Sequence, residues 1–396
     1  MAQATPDEDG DHRGFRPPSH AIRERCSSAG HLTPTAARSL LGWWQAMTRR
    51  PKAALAALAA ILVATVGCGS AEHGSDGKIT LVVADGFSGG HPVSKGGSAP
   101  FFAYLREHGP EVGLHLDYYG AGQLGKTQEM LTLVRTRAVD MGFVLPAYLA
   151  DELPLTGVGD LPGLTDDPCT TVQVLDPLVK PGGIIYDKEI EQRGVVPLWG
   201  AAVSGIEVFT ADRRATRPED LAGLLVRSPG GVGDRVAKGL GVAPVSLPVG
   251  DMYEALSRGT IDGALLPRYA VLSYSFQEVL RYGTLRANLG SSSIWFTMNA
   301  DAWAELDDAQ RRVVQEAAEV ARAGACTSIA AADTKAVDAM RAAGIHFDEV
   351  SPQTRPQWAA ALANVRAEWV RDLESAGLDA REVLDAIEAR VGGAAK

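Results

Sequence analysis

The hydrophobic pattern after about residue 78 alternates between short buried runs and amphipathic stretches. Short apolar runs predict strands, and apolar residues three and four positions apart predict helices. Strands are predicted over 79–84, 115–119, 138–144, 195–199, 205–210, 224–227 and 261–266. Helices are predicted between them over 96–108, 122–137, 231–239 and 251–258. This alternation favours an α/β fold with a mainly parallel sheet.

The pattern changes to helix alone after residue 300. The stretches 307–343, 351–373 and 379–391 each place apolar residues at helical spacing. They predict a long helix followed by a helical C-terminal tail that packs on the α/β body.

The N-terminal region is typical of an exported protein. A basic segment, 49–52, precedes the apolar run 53–66 and then Cys68, so 47–67 is interpreted as a signal peptide. The run is too short to predict a transmembrane helix. The surroundings of Cys68 resemble a lipoprotein cleavage site, although Thr65 stands where leucine is usual; in the alternative, Cys68 is incidental beside an ordinary signal.

Residues 1–46 precede this signal, whereas a signal normally begins a chain. We interpret them as a non-native extension with translation starting at Met47; a genuine cytoplasmic tail is the alternative. Residues 68–78 form a short polar linker.

The charge of the chain bears on nucleic-acid binding. The chain has 396 residues, 46% of them hydrophobic, and a formal net charge of -10. Residues 68–396 hold 30 basic and 43 acidic residues, which argues against general nucleic-acid binding. Anionic small ligands stay possible, because one buried arginine can dominate a pocket.

The usual signatures of metal binding are missing from the sequence, which contains no HExxH and no CxxC. Ser204 and Ser228 lack an adjacent base signal, and we expect no enzyme activity, no metal and no cofactor. Cys169 and Cys326 could pair in an oxidising compartment or remain two buried thiols.

The segment 120–127 formally matches a phosphate-binding P-loop. No later strand supplies the aspartate that should support magnesium, and an exported protein meets little ATP. We therefore interpret the segment as a glycine-rich turn lining a cleft, with nucleotide binding as the alternative.

Arg227 is the strongest candidate for ligand binding. It ends a predicted strand and precedes a Ser-Pro-Gly-Gly turn, and ligands of open α/β sheets bind at such strand ends. A guanidinium there can bind a carboxylate through two parallel hydrogen bonds. A structural ion pair between lobes is the alternative.

Several short motifs occur in a fixed order behind the export signal. Together they resemble the extracytoplasmic solute receptors of TRAP transporters, the DctP-like family, over nearly all of 78–375. The motifs are His91-Pro92, Gln123-Leu124-Gly125 with Glu129, the segment 223–227 ending in Arg227, the segments 241–248 and 253–263, and Met298-Asn299.

The resemblance implies a two-lobed periplasmic-binding-protein-like fold with a long bracing helix. Lobe I would comprise 79–205 plus about 292–335, and lobe II about 206–291 plus 336–396, with crossing strands at 205–210 and 291–299. It also implies capture of a small organic acid between the lobes and delivery to the small and large membrane components of a permease, outside the cytoplasmic membrane. A sensor kinase could receive the signal instead.

The resemblance assigns the carboxylate clamp to Arg227 and a second arginine to Arg213, with Arg214 as the alternative alignment. Leu266 stands where the family often has a polar residue, which argues against a sugar acid. Further candidate ligand contacts are Phe87, His91, Gln123, Trp199, Tyr253, Asp262, Arg268, Tyr269 and Trp295. Core packing is the alternative for both tryptophans, and a helix-start role is the alternative for His91.

The predicted lipid anchor at Cys68 can be tested by the location of the protein. Cys68→Ser should release the protein from membranes, because the acylated thiol is lost; membrane fractionation measures this. Membrane association that persists in the variant would mean that another anchor holds the protein.

Overall fold

The computed structural model describes residues 78–394, except Asp166 and Ser204. The predicted extension, signal peptide, Cys68 and nearly all of the linker lie outside the described residues. Within them, no helix is long and apolar enough to cross a membrane.

The described residues form eleven strands and eleven α-helices. The strands are β1 (Ile79–Ala84), β2 (Leu114–Tyr119), β3 (Met141–Val144), β4 (Val195–Val203), β5 (Ile206–Thr210), β6 (Leu225–Ser228), β7 (Ala243–Ser246), β8 (Gly263–Pro267), β9 (Tyr282–Leu285), β10 (Ser292–Asn299) and β11 (His346–Glu349). The helices are α1 (Ala99–His108), α2 (Met130–Arg135), α3 (Pro168–Val179), α4 (Val232–Gly239), α5 (Met252–Ser257), α6 (Arg268–Ser273), α7 (Ala300–Glu305), α8 (Asp308–Ala342), α9 (Arg355–Leu362), α10 (Val365–Ser375) and α11 (Ala380–Ala394).

The strands form two mixed sheets, which confirms the α/β class; the predicted sheet was mainly parallel, whereas both sheets contain antiparallel pairs. The first has the order β2-β1-β3-β10-β4, with β10 antiparallel to both of its neighbours. The second has the order β11-β9-β5-β8-β6-β7, with β6 parallel to β7 and β8. Parallel strands need helical crossovers, which explains the alternation along the chain.

Strand β4 is buried along its whole length, so its sequence shows no polar alternation. It contains Pro197, which cannot donate a backbone hydrogen bond. The pairing of β4 with β10 shifts at this point, since Phe296 lies opposite Trp199 while Thr297 lies opposite Pro197. A β-bulge at Leu198 therefore accommodates the proline.

The chain passes between the sheets in short connections. The prediction that 205–210 and 291–299 cross between lobes needs correction, because β5 pairs only within the second sheet and β10 only within the first. One short connection joins β4 to β5 and contains Gly205, and the other is 286–291. Gly205 has a φ of +68°, a left-handed conformation that favours glycine.

The predicted long helix is confirmed as α8, which has 35 residues and a length of about 52 Å. Asp307 accepts hydrogen bonds from the backbone of Ala309 and Gln310 at its N-terminus. The helix contacts α1 and β4 beside the first sheet and α6 beside the second. Gly96 packs backbone to backbone on Gly324 of α8, where a Cβ would lie 2.3 Å from a carbonyl oxygen.

The C-terminal tail is helical, as predicted. Its helices pack on helices that flank the two sheets. Helix α10 contacts α4, beside the second sheet, and α11 contacts α3, beside the first. Strands β7, β9 and β11 and helix α3 had no separate prediction. The predicted helix 122–137 is shorter, since only Met130–Arg135 is α-helical and the glycine-rich turn precedes it.

Cys169 and Cys326 form a disulfide, which resolves the two alternatives left by the sequence. Their Cα atoms are 5.0 Å apart across 157 positions of sequence. Cys169 lies at the start of α3 and Cys326 lies in the middle of α8. The bond therefore ties the long helix to a helix that flanks the first sheet.

The disulfide makes a prediction about stability. Replacing both cysteines by serine should lower the free energy of unfolding by up to about 5 kcal/mol, because the unfolded chain regains the freedom of a long loop. Urea unfolding with and without dithiothreitol measures this. The double variant should be insensitive to the reductant; an equal midpoint for oxidised and reduced wild-type protein would contradict the prediction.

Candidate functional site

A cavity lies between the two sheets. Residues of both sheets and of the loops after β1, β3 and β6 form its wall. The lining residues are Phe87, His91, Leu145, Ala147, Tyr148, Val203, Ile206, Arg227, Pro229, Val249, Leu265, Leu266, Pro267, Tyr269, Ala270, Tyr274, Ser292 and Ile294.

Arg227, near the C-terminal end of β6, is the charged group of this cavity. Its residue is only 3% exposed. Its Nε donates to the carbonyl of Leu247 at 2.6 Å, and its Nη1 donates to the carbonyl of Leu265 at 3.2 Å. Its Nη2 donates to the hydroxyl of Tyr148 at 3.1 Å. The guanidinium is thus held rigidly on three sides.

No acidic side chain of the described residues forms an ion pair with Arg227; its three hydrogen-bond acceptors are uncharged. Burial lowers its pKa, yet an arginine keeps its charge in proteins. Two of its five N–H groups remain without an acceptor. The site is therefore a buried positive charge with spare donors beside a cavity.

Tyr148 extends this anion-binding geometry. Its hydroxyl accepts from Arg227 and also from the backbone N–H of Val249 at 3.3 Å, so its own proton is available to a ligand. Tyr148 is not among the ligand contacts predicted from the sequence. The signal was present, because Tyr148 follows β3 at the carboxyl end of a strand, where ligands of α/β sheets bind.

His91 lies in the cavity wall as a neutral side chain. Its Nδ1 accepts the backbone N–H of Val93 at 3.3 Å, so its proton resides on Nε2. Burial lowers its pKa to about 4. Its ring stacks on Phe87 with the centroids 4.3 Å apart. His91 thus lies at the start of a helix and also lines the cavity.

Tyr269 and Tyr274 complete an aromatic cluster around His91. Their ring centroids lie 5.5 Å and 6.1 Å from that of His91, both edge to face. Burial raises the pKa of both hydroxyls, which therefore stay protonated. Among the described residues, no hydrogen bond to either hydroxyl is formed, so both are available to a ligand.

Four of the eleven predicted ligand contacts line the cavity: Phe87, His91, Arg227 and Tyr269. The two tryptophans do not. Trp199 is fully buried and stacks on Phe296 at 5.5 Å, and Trp295 packs on Gly200. Core packing, the alternative stated above, describes both.

The remaining polar candidates lie outside the cavity wall, and their assignment needs correction. Arg213 is exposed and donates to the carbonyl of Ala222 at 3.0 Å. Tyr253 is exposed with its hydroxyl 2.6 Å from Glu278. Their side chains make surface contacts on the second sheet instead of facing the cavity.

Gln123, Asp262 and Arg268 also lie elsewhere. Gln123 belongs to an exposed turn. Asp262 accepts the backbone N–H of Leu225 at 2.7 Å and so anchors the start of β6. Arg268 forms an ion pair with Asp333 of α8, which joins the long helix to α6 just behind the cavity.

The segment 120–127 is a largely exposed turn that leads into a short 3₁₀ turn, Thr127–Glu129. None of its residues lines the cavity, so the cleft-lining interpretation needs correction as well. The described residues also contain no cluster of three or more histidine, cysteine or acidic side chains that could hold a metal ion.

Two sheets around a shared cavity, braced by one long helix, define a two-lobed solute-binding protein. A sequence model of the family "Bacterial extracellular solute-binding protein, family 7", or DctP, matches residues 92–372. The chain belongs to this family. Members of the family are solute-binding receptors.

Curated relatives agree with this assignment. The chain is 26% identical over 283 residues to the C4-dicarboxylate-binding periplasmic protein DctP of Rhodobacter capsulatus, covering 69% of this chain and 82% of that protein. It is 27% identical over 181 residues to a solute-binding protein of Albidiferax ferrireducens, covering 46% of this chain and 52% of the relative. This second match thus spans about half the length of the relative.

Solved structures show the same fold. A marine metagenome TRAP solute-binding protein specific for aromatic acid ligands has a TM-score of 0.72 at 20% identity, covering 79% of this chain and 98% of the other. A TRAP protein of Rhodoferax ferrireducens with benzoate has a TM-score of 0.68 at 21% identity, covering 80% and 98%. The ectoine-binding protein of Halomonas elongata has a TM-score of 0.70 at 20% identity, covering 79% and 99%.

The burial of His91 predicts how the free energy of unfolding depends on pH. The unfolded state takes up a proton on this histidine below about pH 6.5, whereas the folded state resists it down to about pH 4. The free energy of unfolding should therefore be complete above pH 6.5 and fall by up to about 3 kcal/mol between pH 6.5 and 4. His91→Gln should reduce this loss in urea unfolding series, while the exposed His115→Gln should not; equal slopes for wild type and His91→Gln would refute the assignment.

Proposed function

We propose that the chain is the extracytoplasmic solute receptor of a TRAP transporter and that it binds a small organic acid through its carboxylate. The observation that carries this proposal is the buried Arg227, which donates to three uncharged acceptors and forms no ion pair with a described residue. Asp234 acts on its charge only through space and only in part opposes the lowering of its pKa by burial. The ligand carboxylate accepts the two unused N–H groups of the guanidinium and the proton of the Tyr148 hydroxyl.

The energetics of burial support this assignment. A buried charge without a counter-ion is costly, because the interior solvates it poorly. Three neutral acceptors compensate Arg227 only in part. A ligand anion supplies the missing negative charge. The hydrogen bonds between the two charged groups are then stronger than hydrogen bonds between neutral groups.

Related structures contain ligands of the same chemical kind. These ligands are aromatic acids, benzoate, mandelate and uronates. The cavity of this chain offers a single cationic group and otherwise apolar or neutral walls, which suits a small acid with an apolar body.

The ligand lies between the lobes, and binding brings them together. Lobe I, 79–205 plus about 292–335, contributes Phe87, His91 and Ser292, whereas lobe II contributes Arg227 and Tyr269. A ligand that contacts both lobes favours the closed arrangement, with bending at the connections 204–205 and 286–291. The closed form then docks on the membrane permease, outside the cytoplasmic membrane, with the protein anchored through Cys68.

Thermal-shift screening and calorimetry test the proposal. Wild-type protein, screened against aromatic acids, dicarboxylates, 2-oxo acids and uronates, should be stabilised by at least one acid, binding one molecule per chain without turnover. The corresponding amide should not stabilise it, because the amide lacks the negative charge.

Arg227→Lys should weaken binding of the best acid by two to four orders of magnitude, since loss of a partner from a desolvated charge pair costs about 3–5 kcal/mol. The matched control is Arg213→Lys, which alters an exposed arginine outside the cavity and should keep wild-type affinity. Silence across the whole panel, or wild-type affinity in Arg227→Lys, would refute the proposal.

A further inference from the structure

The two connections between the sheets are held by hydrogen bonds that limit where the chain can bend. The connection 286–291 leads from β9 in the second sheet to β10 in the first, and the shorter one, with Gly205, leads from β4 to β5. Closure of the lobes is part of the proposed function, on which this inference rests.

Glu207 of β5 holds the first part of the connection 286–291. Its carboxyl oxygens accept the backbone N–H groups of Arg286 at 2.8 Å and of Ala287 at 3.1 Å. The residue is 2% exposed and forms no ion pair with a described residue. Arg286 has a φ of +64°, and a residue with a Cβ keeps such a conformation only where its surroundings hold it. Glu207 therefore ties this part of the connection to the second sheet.

The last part of the connection is tied to lobe I. Asp160, which is 6% exposed, accepts the backbone N–H of Ser293 at 3.0 Å. The hydroxyl of Ser291 donates to the carbonyl oxygen of Gly159. Because Gly159 and Asp160 belong to lobe I, residues 291–293 move with that lobe.

Gly290 is the residue between these two sets of ties. On one side, the N–H of Leu289 donates to the carbonyl oxygen of Ile206 at 3.3 Å, so Leu289 still belongs to lobe II. On the other side, Ser291 is held by lobe I. The N–H of Gly290 itself donates to no acceptor among the described residues. Gly290 has a φ of +118°, and a Cβ there would lie 2.5 Å from the carbonyl oxygen of Asp160.

Gly205 occupies the matching place in the other connection. Gly205 directly precedes Ile206 and Gly290 directly follows Leu289, so each glycine is one residue away from the hydrogen bond that joins the two connections. Gly205 also has a positive φ, +68°. Both glycines have the backbone freedom that a hinge rotation requires.

We infer that the lobes rotate about Gly205 and Gly290, and that Glu207 and Asp160 are positioning residues that confine the motion to these two glycines. Glu207 fastens the connection 286–291 to lobe II and Asp160 fastens it to lobe I, so neither end bends. Closure is then a rotation of two rigid bodies, which returns Arg227 to the same position relative to lobe I each time.

A hydrogen bond across the cavity reports closure without any ligand. The N–H of Val249, in lobe II, donates to the hydroxyl of Tyr148, in lobe I, at 3.3 Å. This amide can exchange its hydrogen with deuterium when the contact opens, so its exchange rate measures how readily the lobes separate. Tyr148→Phe removes the acceptor and gives the upper limit of the rate.

Residue-resolved hydrogen–deuterium exchange on the full chain, with no acid added, tests the inference. In the wild-type protein the amides of Arg286, Ala287 and Ser293 should exchange at least about tenfold more slowly than that of Gly290, relative to their intrinsic rates, because they are hydrogen-bonded. Amides of the buried strand β4 serve as the reference for any general change in stability.

Gly290→Ala should raise the exchange rate of the Val249 amide about tenfold relative to β4, because the new Cβ meets the carbonyl of Asp160 and displaces the closed arrangement. The matched control is Gly344→Ala. Gly344 also has a positive φ, +95°, but no atom lies within 4 Å of a Cβ there. Gly344→Ala therefore strains the backbone away from the connection and should leave Val249 at its wild-type rate.

Glu207→Gln keeps the shape of the side chain but only one of its two acceptor oxygens. The amide of Arg286 or Ala287 should then exchange about fivefold faster, because one hydrogen bond is lost, and Val249 should exchange faster as well. Glu349→Gln is the matched control, because Glu349 is 3.7 Å from the side chain of Arg286 and does not hold its backbone. It should change neither rate.

Asp160 gives the corresponding test at the other end of the connection. Asp160→Ala should speed exchange of the Ser293 amide, since the acceptor is lost. Asp160→Asn keeps an acceptor oxygen and should restore the slow rate.

Four outcomes would each overturn the inference: a wild-type Val249 rate in Gly290→Ala, an equal rise in Gly344→Ala, unchanged exchange of Arg286 and Ala287 in Glu207→Gln, or wild-type amides at 286 and 287 that exchange as fast as that of Gly290. Because no acid is present, none of these outcomes bears on acid binding. Silence in the acid screen would overturn the proposed function, while the exchange rates would still locate the hinge.

Discussion

The structure around the cavity depends on one buried positive charge. Arg227 is held by two backbone carbonyls and one phenol, and no described carboxylate neutralises it. Protein interiors tolerate such a group only when something compensates it. The fold positions the charge, and in the proposed function a bound anion compensates it.

Packing away from the cavity supports the elements that form its wall. Helix α8 contacts elements of both sheets and is joined to α3 by the disulfide of Cys169 and Cys326. Its Asp333 pairs with Arg268, the residue before Tyr269, so the long helix also supports the cavity wall. The connection at Gly205, with its positive φ, allows the chain to pass between sheets beside this ion pair.

The polar groups of the cavity are kept neutral by the same burial that makes Arg227 unusual. Desolvation lowers the pKa of His91 and raises those of Tyr269 and Tyr274, so each acts as a hydrogen-bond donor without adding charge.

The sequence alone determined the fold class, the long helix and the place of Arg227, because hydrophobic period and a strand end followed by Pro-Gly-Gly are local properties. It did not determine which aromatic residues reach the cavity: Trp199 and Trp295 fill the core, whereas Tyr148 and Tyr274 line the wall. Nor could it show that Arg213 is a surface residue or that two cysteines 157 positions apart meet. Those outcomes depend on how distant strands pair and which faces the sheets turn towards each other, and only the tertiary structure decides this.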